Sequence, residues 1–190
     1  MKSMHALHGQ QYSVKMNRAD NQIIVIFGGR GDLAMRKIVP ALYELFLQGL
    51  MPERFAVVAT GRSRIDDEAY RSEVNIALAG KAGKESAGDY DRFVKAFFYL
   101  ALDPSVKSDY DKLSELLYRL RSGVGIAGNT LFYFSVPPEI YDGISPSLAA
   151  QGLSNEADGW KRLIIEKPFG YDYASAVRLN RRLLEHWQES

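Results

Sequence analysis

The sequence predicts a single α/β domain built on a doubly wound parallel sheet, and three observations carry the prediction. Short continuous apolar runs alternate with longer segments of helical periodicity, the first run ends in a glycine-rich turn that opens a helix, and no cysteine framework competes with this organisation. The run Ile23-Ile24-Val25-Ile26-Phe27 is apolar at every position, which is the pattern of a parallel strand buried on both faces. Beyond the glycines, Leu33, Ile38, Leu42, Leu45 and Phe46 recur at helical spacing until Gly49. Phe55 to Ala59 reads as a second strand, Asp66 to Leu78 as a helix, and the Gly, Lys and Ser-rich stretch Ala79 to Gly88 as an exposed loop. A third strand over Ala96 to Leu100 leads through Asp103-Pro104 to a helix near Asp109 to Leu120. Leu131 to Val136 forms a fourth strand, halted by Pro137-Pro138, which have no N–H to give a ladder. A helix to about Ala150, a last strand over Leu163 to Glu166 and a last helix from Tyr173 to Trp187 complete the alternation, which implies right-handed crossovers.

A chain of 190 residues with 46% hydrophobic content buries one substantial core, so one domain is expected over residues 21–190. Residues 1–20 are polar and aperiodic, and are read as a flexible N-terminal extension. The 24 basic and 23 acidic side chains nearly cancel, so no global field recruits nucleic acid or an anionic membrane, and an anionic ligand must be held by a local site. The absence of cysteine excludes disulfides and thiolate chemistry and fits a reducing compartment. No apolar run approaches the roughly 20 residues needed to cross a bilayer. A cytoplasmic location is therefore expected.

The most informative segment is Gly28-Gly29-Arg30-Gly31-Asp32-Leu33-Ala34, in which Gly29-x-Gly31-x-x-Ala34 fits the dinucleotide fingerprint of the Rossmann fold. Glycines are needed there because the turn is tight, because backbone must approach a pyrophosphate, and because the helix packs near the strand. The helix N-terminus then directs N–H groups and a positive dipole end at the phosphates. The competing reading is an ordinary glycine turn with Asp32 as a helix cap. The end of the second strand bears on the choice of cofactor. It reads Thr60-Gly61-Arg62-Ser63-Arg64, where a ribose 2′-hydroxyl would call for a carboxylate and a 2′-phosphate for arginine. Arg62, with Arg64 and the Ser63 hydroxyl nearby, favours NADP; Asp66-Asp67 a few residues later keep NAD open, and a solvated loop cation is the alternative for Arg62.

At this point the residues resemble a known family. Gly28 to Lys37 with Pro40-Ala41-Leu42-Tyr43 is similar to the glucose-6-phosphate dehydrogenase fingerprint G-A/G-S/T-G-D-L-A-K-R/K-K followed by P-A-L-Y. Leu131 to Pro138 is similar to the family's L-F-Y-L-A-x-P-P, and Glu166-Lys167-Pro168-Phe169-Gly170 with Asp172, Ser175 and Ala176 to its E-K-P-F-G-x-D-x-x-S-A. The resemblance implies NADP-dependent oxidation of glucose 6-phosphate at C1 to 6-phosphogluconolactone. It places Gly28, Gly31 and Ala34, with Gly29, Asp32 and Leu33 between them, in the cofactor turn. Arg62 falls at the 2′-phosphate, and Val136, Pro137 and Pro138 on the nicotinamide side. By the same resemblance Lys167 reaches toward the sugar phosphate and nicotinamide, and Pro168 sets the orientation of that segment. A lysine at the carboxyl end of a buried strand also lies where open α/β sheets bind ligands. A Glu166–Lys167 ion pair pinning the strand end is the structural alternative.

Two positions depart from the family pattern. Arg30 stands where Ser or Thr is usual, which sets a charge-assisted phosphate bond against obstruction of the turn, and the crowding of the turn favours obstruction. Met35 replaces a lysine. Oxidation of a sugar hemiacetal also needs a general base, and the candidates are His5 and His8 in the extension and His186 at a surface position on the last helix. The resemblance assigns that base to an R-I-D-H-Y-L-G-K stretch, which would follow Ser190, as would a larger second domain. The chain alone is therefore expected to bind NADP without turnover. The second reading is a nucleotide-binding or regulatory module that acts by association through the surface on which that domain would dock.

Overall fold

The computed structural model describes residues 17–81 and 87–188. Strands β1 (Gln22–Phe27), β2 (Phe55–Gly61), β3 (Phe97–Ala101), β4 (Thr130–Phe134) and β5 (Lys161–Ile165) form one all-parallel sheet in the order β3-β2-β1-β4-β5. Their carboxyl ends are level: Phe27 pairs with Thr60 on one side and Phe134 on the other, and Phe134 with Ile165. The chain winds from β1 outward to β3, then returns to place β4 on the other flank of β1. Crossovers therefore diverge between β1 and β4, which opens a crevice above the carboxyl ends of the central strands.

The helices are α1 (Val39–Leu47), α2 (Asp67–Ala77), α3 (Ala87–Lys95), α4 (Lys107–Val124), α5 (Tyr141–Ala150) and α6 (Tyr173–Leu184). Side chains of a strand alternate between faces, so a strand covered on both sides must be apolar throughout. Ile23, Val25 and Phe27 of β1 join a cluster with Leu113 and Leu117 of α4 and Ile144 and Leu148 of α5. Ile24 and Ile26 point the other way, into a cluster with Val39 and Tyr43 of α1 and Tyr70 and Val74 of α2. Each fully buried aliphatic side chain contributes about 1.5–3 kcal/mol, so the two layers are the main source of stability.

Pro40 shapes the first crossover. It has no N–H to return to residue 36, and the helix enters through a wide π-helical turn, Ala34–Ile38, in which the Val39 N–H reaches back to the Ala34 carbonyl. The predicted loop of residues 79–88 continues into a helix, α3, that the periodicity does not announce. Only Phe93 and Val94 of it are buried, and Phe93 anchors it against Tyr43, Phe46, Phe55 and Phe97. Residues 82–86 of that loop, and 1–16 of the predicted extension, lie outside the described residues. Arg18 and Ala19 bond to the carbonyls of Gly49 and Leu50 beyond α1. The ladder of β4 stops at Phe134, leaving Ser135 and Val136 in the following loop. Helix α6 stops at Leu184, and Trp187 beyond it is buried, its ring against Phe132 and its Nε1 donating to Ser145 Oγ at 2.9 Å.

Strand β5 forms one edge of the sheet. Ile164, Phe169, Tyr173, Val177 and Leu184 on this side are exposed. Among the described residues no helix is long and apolar enough to cross a membrane, and no cluster of acidic or histidine side chains could hold a metal ion.

Candidate functional site

The glycine turn sits at the carboxyl end of β1, and its geometry explains its composition. Gly28 has φ +79°, and a Cβ there would lie 2.3 Å from the Ser135 carbonyl oxygen and 2.9 Å from Val136 Cγ1. A Cβ on Gly29 would lie 2.4 Å from the Ala59 Cβ. Side chains are thus excluded on both flanks, by β2 and by the loop after β4. The N–H groups of Gly28 and Gly29 both donate to the Thr60 carbonyl, at 3.1 and 3.0 Å, which ties the turn to the end of β2. The buried Tyr70 hydroxyl of α2 donates to the Gly29 carbonyl at 2.9 Å, and burial pushes its pKa up, so it remains a donor.

Above this turn lies a cleft of about 560 Å³. It draws Phe27, Gly28, Arg30 and Gly31 from β1 and its turn, Thr60 to Ser63 from β2, Tyr99 and Leu102 to Ser105 from β3 and its loop, and Ser135 to Pro137 with Ile140 from the loop after β4. Of the residues singled out from sequence, Gly28, Arg30, Gly31, Arg62, Ser63, Val136 and Pro137 converge on this cleft. Gly29 and Ala34 are buried behind it. Asp32 and Leu33 are exposed at the helix entrance; Asp32 accepts from Arg36 at 3.2 Å and caps no backbone N–H. Pro138 begins a short 3-10 turn, Pro138–Ile140, that carries the chain away.

The sequence reading did not identify the β3 contribution, Tyr99 and Asp103 to Ser105. In a parallel sheet every carboxyl end opens on the same side, so the residues after a third strand belong to the same rim, and that signal was available. Asp103 accepts from the Ser105 hydroxyl at 2.7 Å and the Ser105 N–H at 2.9 Å, and these bonds hold its carboxyl below the usual carboxylate range. The Tyr99 hydroxyl and the Ser135 hydroxyl are buried and have no hydrogen-bond partner. Arg62 is exposed, and no described residue forms a hydrogen bond or ion pair with it. The rim therefore combines a guanidinium that forms no hydrogen bond, though its charge acts on Asp103 nearby, with two hydroxyls without partners, a donor set suited to an anionic, polyhydroxylated ligand.

Arg30 leaves the turn sideways. Its Nε donates to Glu73 Oε2 at 2.8 Å and one terminal nitrogen to Oε1 at 2.5 Å, a forked pair with α2. Glu73 follows Tyr70 by three residues, so the same face of α2 holds the backbone of Gly29 and the side chain of Arg30.

The Glu-Lys-Pro segment departs from β5 beside the loop that leaves β4, as the Phe134–Ile165 register requires. Glu166 accepts a short hydrogen bond from the Tyr133 hydroxyl and is not paired with Lys167. Burial is the main cause that raises the Tyr133 pKa, with the Glu166 carboxylate adding to it. Lys167 is exposed two residues past β5, the Lys167–Pro168 peptide bond is cis, and neither residue lines the cleft. His186 is half-buried beyond α6 and is not part of the cleft; His5 and His8 lie outside the described residues.

A β1-turn-α unit with this strand order, a side-chain-free turn and a polar rim at the switch point defines a doubly wound nucleotide-binding domain. The profile described as "Glucose-6-phosphate dehydrogenase, NAD binding domain" matches residues 25–190. The chain belongs to this family. It is 38% identical over 172 residues to the glucose-6-phosphate 1-dehydrogenase of Aggregatibacter actinomycetemcomitans, covering 90% of this chain and 35% of that protein. It is 36% identical over 176 residues to that of Bacillus subtilis (strain 168), covering 93% and 35%. A solved glucose-6-phosphate dehydrogenase in complex with its substrate glucose-6-phosphate superposes with a TM-score of 0.80 at 26% identity, over 90% of this chain and 35% of that one. The chain thus spans about a third of the length of the relatives it matches.

Proposed function

We propose that the cleft binds NADP and that the chain supplies the nucleotide-holding part of a glucose-6-phosphate dehydrogenase, with Lys167 directed to the sugar phosphate. The observation that carries this reading is the Arg62 guanidinium, free of hydrogen bonds, on the rim of a cleft whose turn admits no side chain at Gly28 or Gly29. The residues fit the nucleotide in kind: Gly31 lines the cleft without a side chain, Arg62 and Ser63 supply donors for a 2′-phosphate, and Ser135 and Tyr99 carry hydroxyls without partners. The nicotinamide, when bound, accepts a hydride.

This chain's residues bind and orient. Val136 and Pro137 form the wall above the β4 end, beside the segment that carries Lys167. Tyr133 fixes the Glu166 carboxylate, and through it the point from which Lys167 extends. An ammonium there can meet a phosphate or sugar hydroxyl as a point charge. No histidine lines the cleft among the described residues. A cytoplasmic setting accords with this chemistry.

Calorimetric titration of the chain and its Arg62→Ala variant with NADP and NAD tests the assignment. A charge-assisted phosphate contact is worth about 1.5–3 kcal/mol, so the parent should prefer NADP and the substitution should remove about ten- to a hundredfold of that preference. Equal affinities in the parent would refute it.

A further inference from the structure

We propose that Glu73 positions the Arg30 guanidinium as a second ligand, beside Arg62, for the 2′-phosphate of the nucleotide, with the Tyr99 hydroxyl as a further donor. The inference rests on the reading that the cleft binds NADP, and it concerns residues outside the family's usual pattern at this turn. An arginine has five N–H donors in a rigid plane. Glu73 takes two of them in a fork and so fixes the plane, leaving three that Glu73 does not occupy, on a guanidinium that lies against Tyr99. The pair is one-third exposed on each side, so it is accessible from the cleft without being dissolved by solvent.

The placement of the two partners is unequal, and this decides the sign. Arg30 lines the cleft together with Arg62, Ser63 and Tyr99, whereas Glu73 does not. An entering anion therefore meets the guanidinium first and the carboxylate behind it. Tyr99 is 7% exposed, and its buried hydroxyl lies against the Arg30 guanidinium and the Ser63 backbone without a well-aligned hydrogen bond to either. A buried hydroxyl left unpaired in the free protein is costly, and a phosphate oxygen at the guanidinium would relieve it. Tyr70, on the same face of α2, holds the Gly29 carbonyl. The helix that shapes the turn thus also aims its one long side chain. Where a Ser or Thr would offer a single hydroxyl, this chain offers a cation with a counter-ion to hold it.

The test is titration of the parent, Arg30→Ser, Glu73→Ala, Glu73→Gln and Arg30→Ser/Glu73→Ala with NADP and with NAD, reading the ratio of the two affinities. A folding defect weakens both nucleotides and leaves the ratio in place, so the ratio isolates the phosphate contact. Arg30→Ser should lower the ratio by about tenfold or more, the range of one charge-assisted contact. Glu73→Ala should lower it several-fold, Glu73→Gln should recover most of the loss through its remaining carbonyl, and the double variant should match Arg30→Ser. A ratio that rises in Glu73→Ala would mean that Glu73 silences Arg30, and would overturn the proposal. An unchanged ratio in Arg30→Ser would overturn it as well. Failure of the underlying reading has a different signature, namely no NADP preference in the parent and no response to Arg62→Ala.

Discussion

Replacing Gly28 with alanine tests the turn at its tightest point. The residue has φ +79°, a conformation that costs an L-residue about 1–2 kcal/mol. The new Cβ would also sit 2.3 Å from the Ser135 carbonyl oxygen, which is backbone and cannot rotate aside. Relief requires β1 and the loop after β4 to move apart, an overpacking strain of about 1–3 kcal/mol. The sum, about 2–5 kcal/mol, corresponds to a fall in Tm of about 5–15 °C for a domain of this size. Gly49 provides the control, because it has φ +70° but nothing within 4 Å of the position a Cβ would take. Gly49→Ala should therefore show the backbone cost alone. Thermal unfolding of the two variants followed by circular dichroism separates the terms. If Gly28→Ala lost no more than Gly49→Ala, the close approach of the turn to the β4 loop would not exist as described.

Substitutions at three further positions probe the rest of the molecule. Trp187→Ala should cost about 3–5 kcal/mol in urea unfolding, since the ring is 9% exposed against Phe132, whereas Trp187→Phe, which forfeits mainly the bond to Ser145, should cost about 1 kcal/mol. Lys161→Met should cost about 2 kcal/mol by the same measurement; the ammonium is 2% exposed and paired with Asp158 at 2.5 Å, but Asp158 itself is half-exposed and shared with Arg121, which reduces the penalty for a broken buried pair. Asp109 titrates below the usual range because it accepts the Asp103 N–H and the Lys112 ammonium. A depressed folded pKa adds stability above the unfolded value, about 3.9, that is lost as pH falls through the folded one, so the parent should lose stability below about pH 4 and Asp109→Asn should lose less over the same interval.

The layers were legible because burial on both faces confines polar side chains in β1 and β2 to the strand ends, Gln22 and Thr60, and leaves the run before Gly28 apolar at every position. The Gly28-Gly29 pair was legible for a related reason: exclusion of side chains by Ser135 and Ala59 leaves glycine as the residue that fits at both positions. Helix α3 was not, since just Phe93 and Val94 are buried in a nine-residue segment that otherwise reads as charged loop. Tyr99 was not singled out because an aromatic residue in a buried strand has the signature of core, and its hydroxyl's environment is set by Arg30 and Gly61, remote in sequence. The partner of Arg30 was equally hidden. An arginine at a turn states that a charge is present, and only the tertiary placement of α2 states that Glu73 receives it. The same holds for Glu166, whose neighbour in sequence is Lys167 and whose partner in space is Tyr133.

The cleft described above is assembled from the ends of four strands that are separated by long stretches of chain, and no single unit of the domain contains it. It therefore exists only in the fully assembled state. A molecule that occupies it binds the native ensemble and has nothing comparable to grip in the unfolded one, so occupancy and folding draw on a common free energy. At a ligand concentration one hundred times Kd the native state gains about 2.7 kcal/mol, and at a thousand times about 4.1 kcal/mol. Those gains are comparable to the deficit expected of Gly28→Ala. If the proposed dinucleotide is that occupant, a cell that keeps its pool well above Kd would mask lesions in this domain that purified, ligand-free protein reveals, and depletion of the pool would expose them all at once.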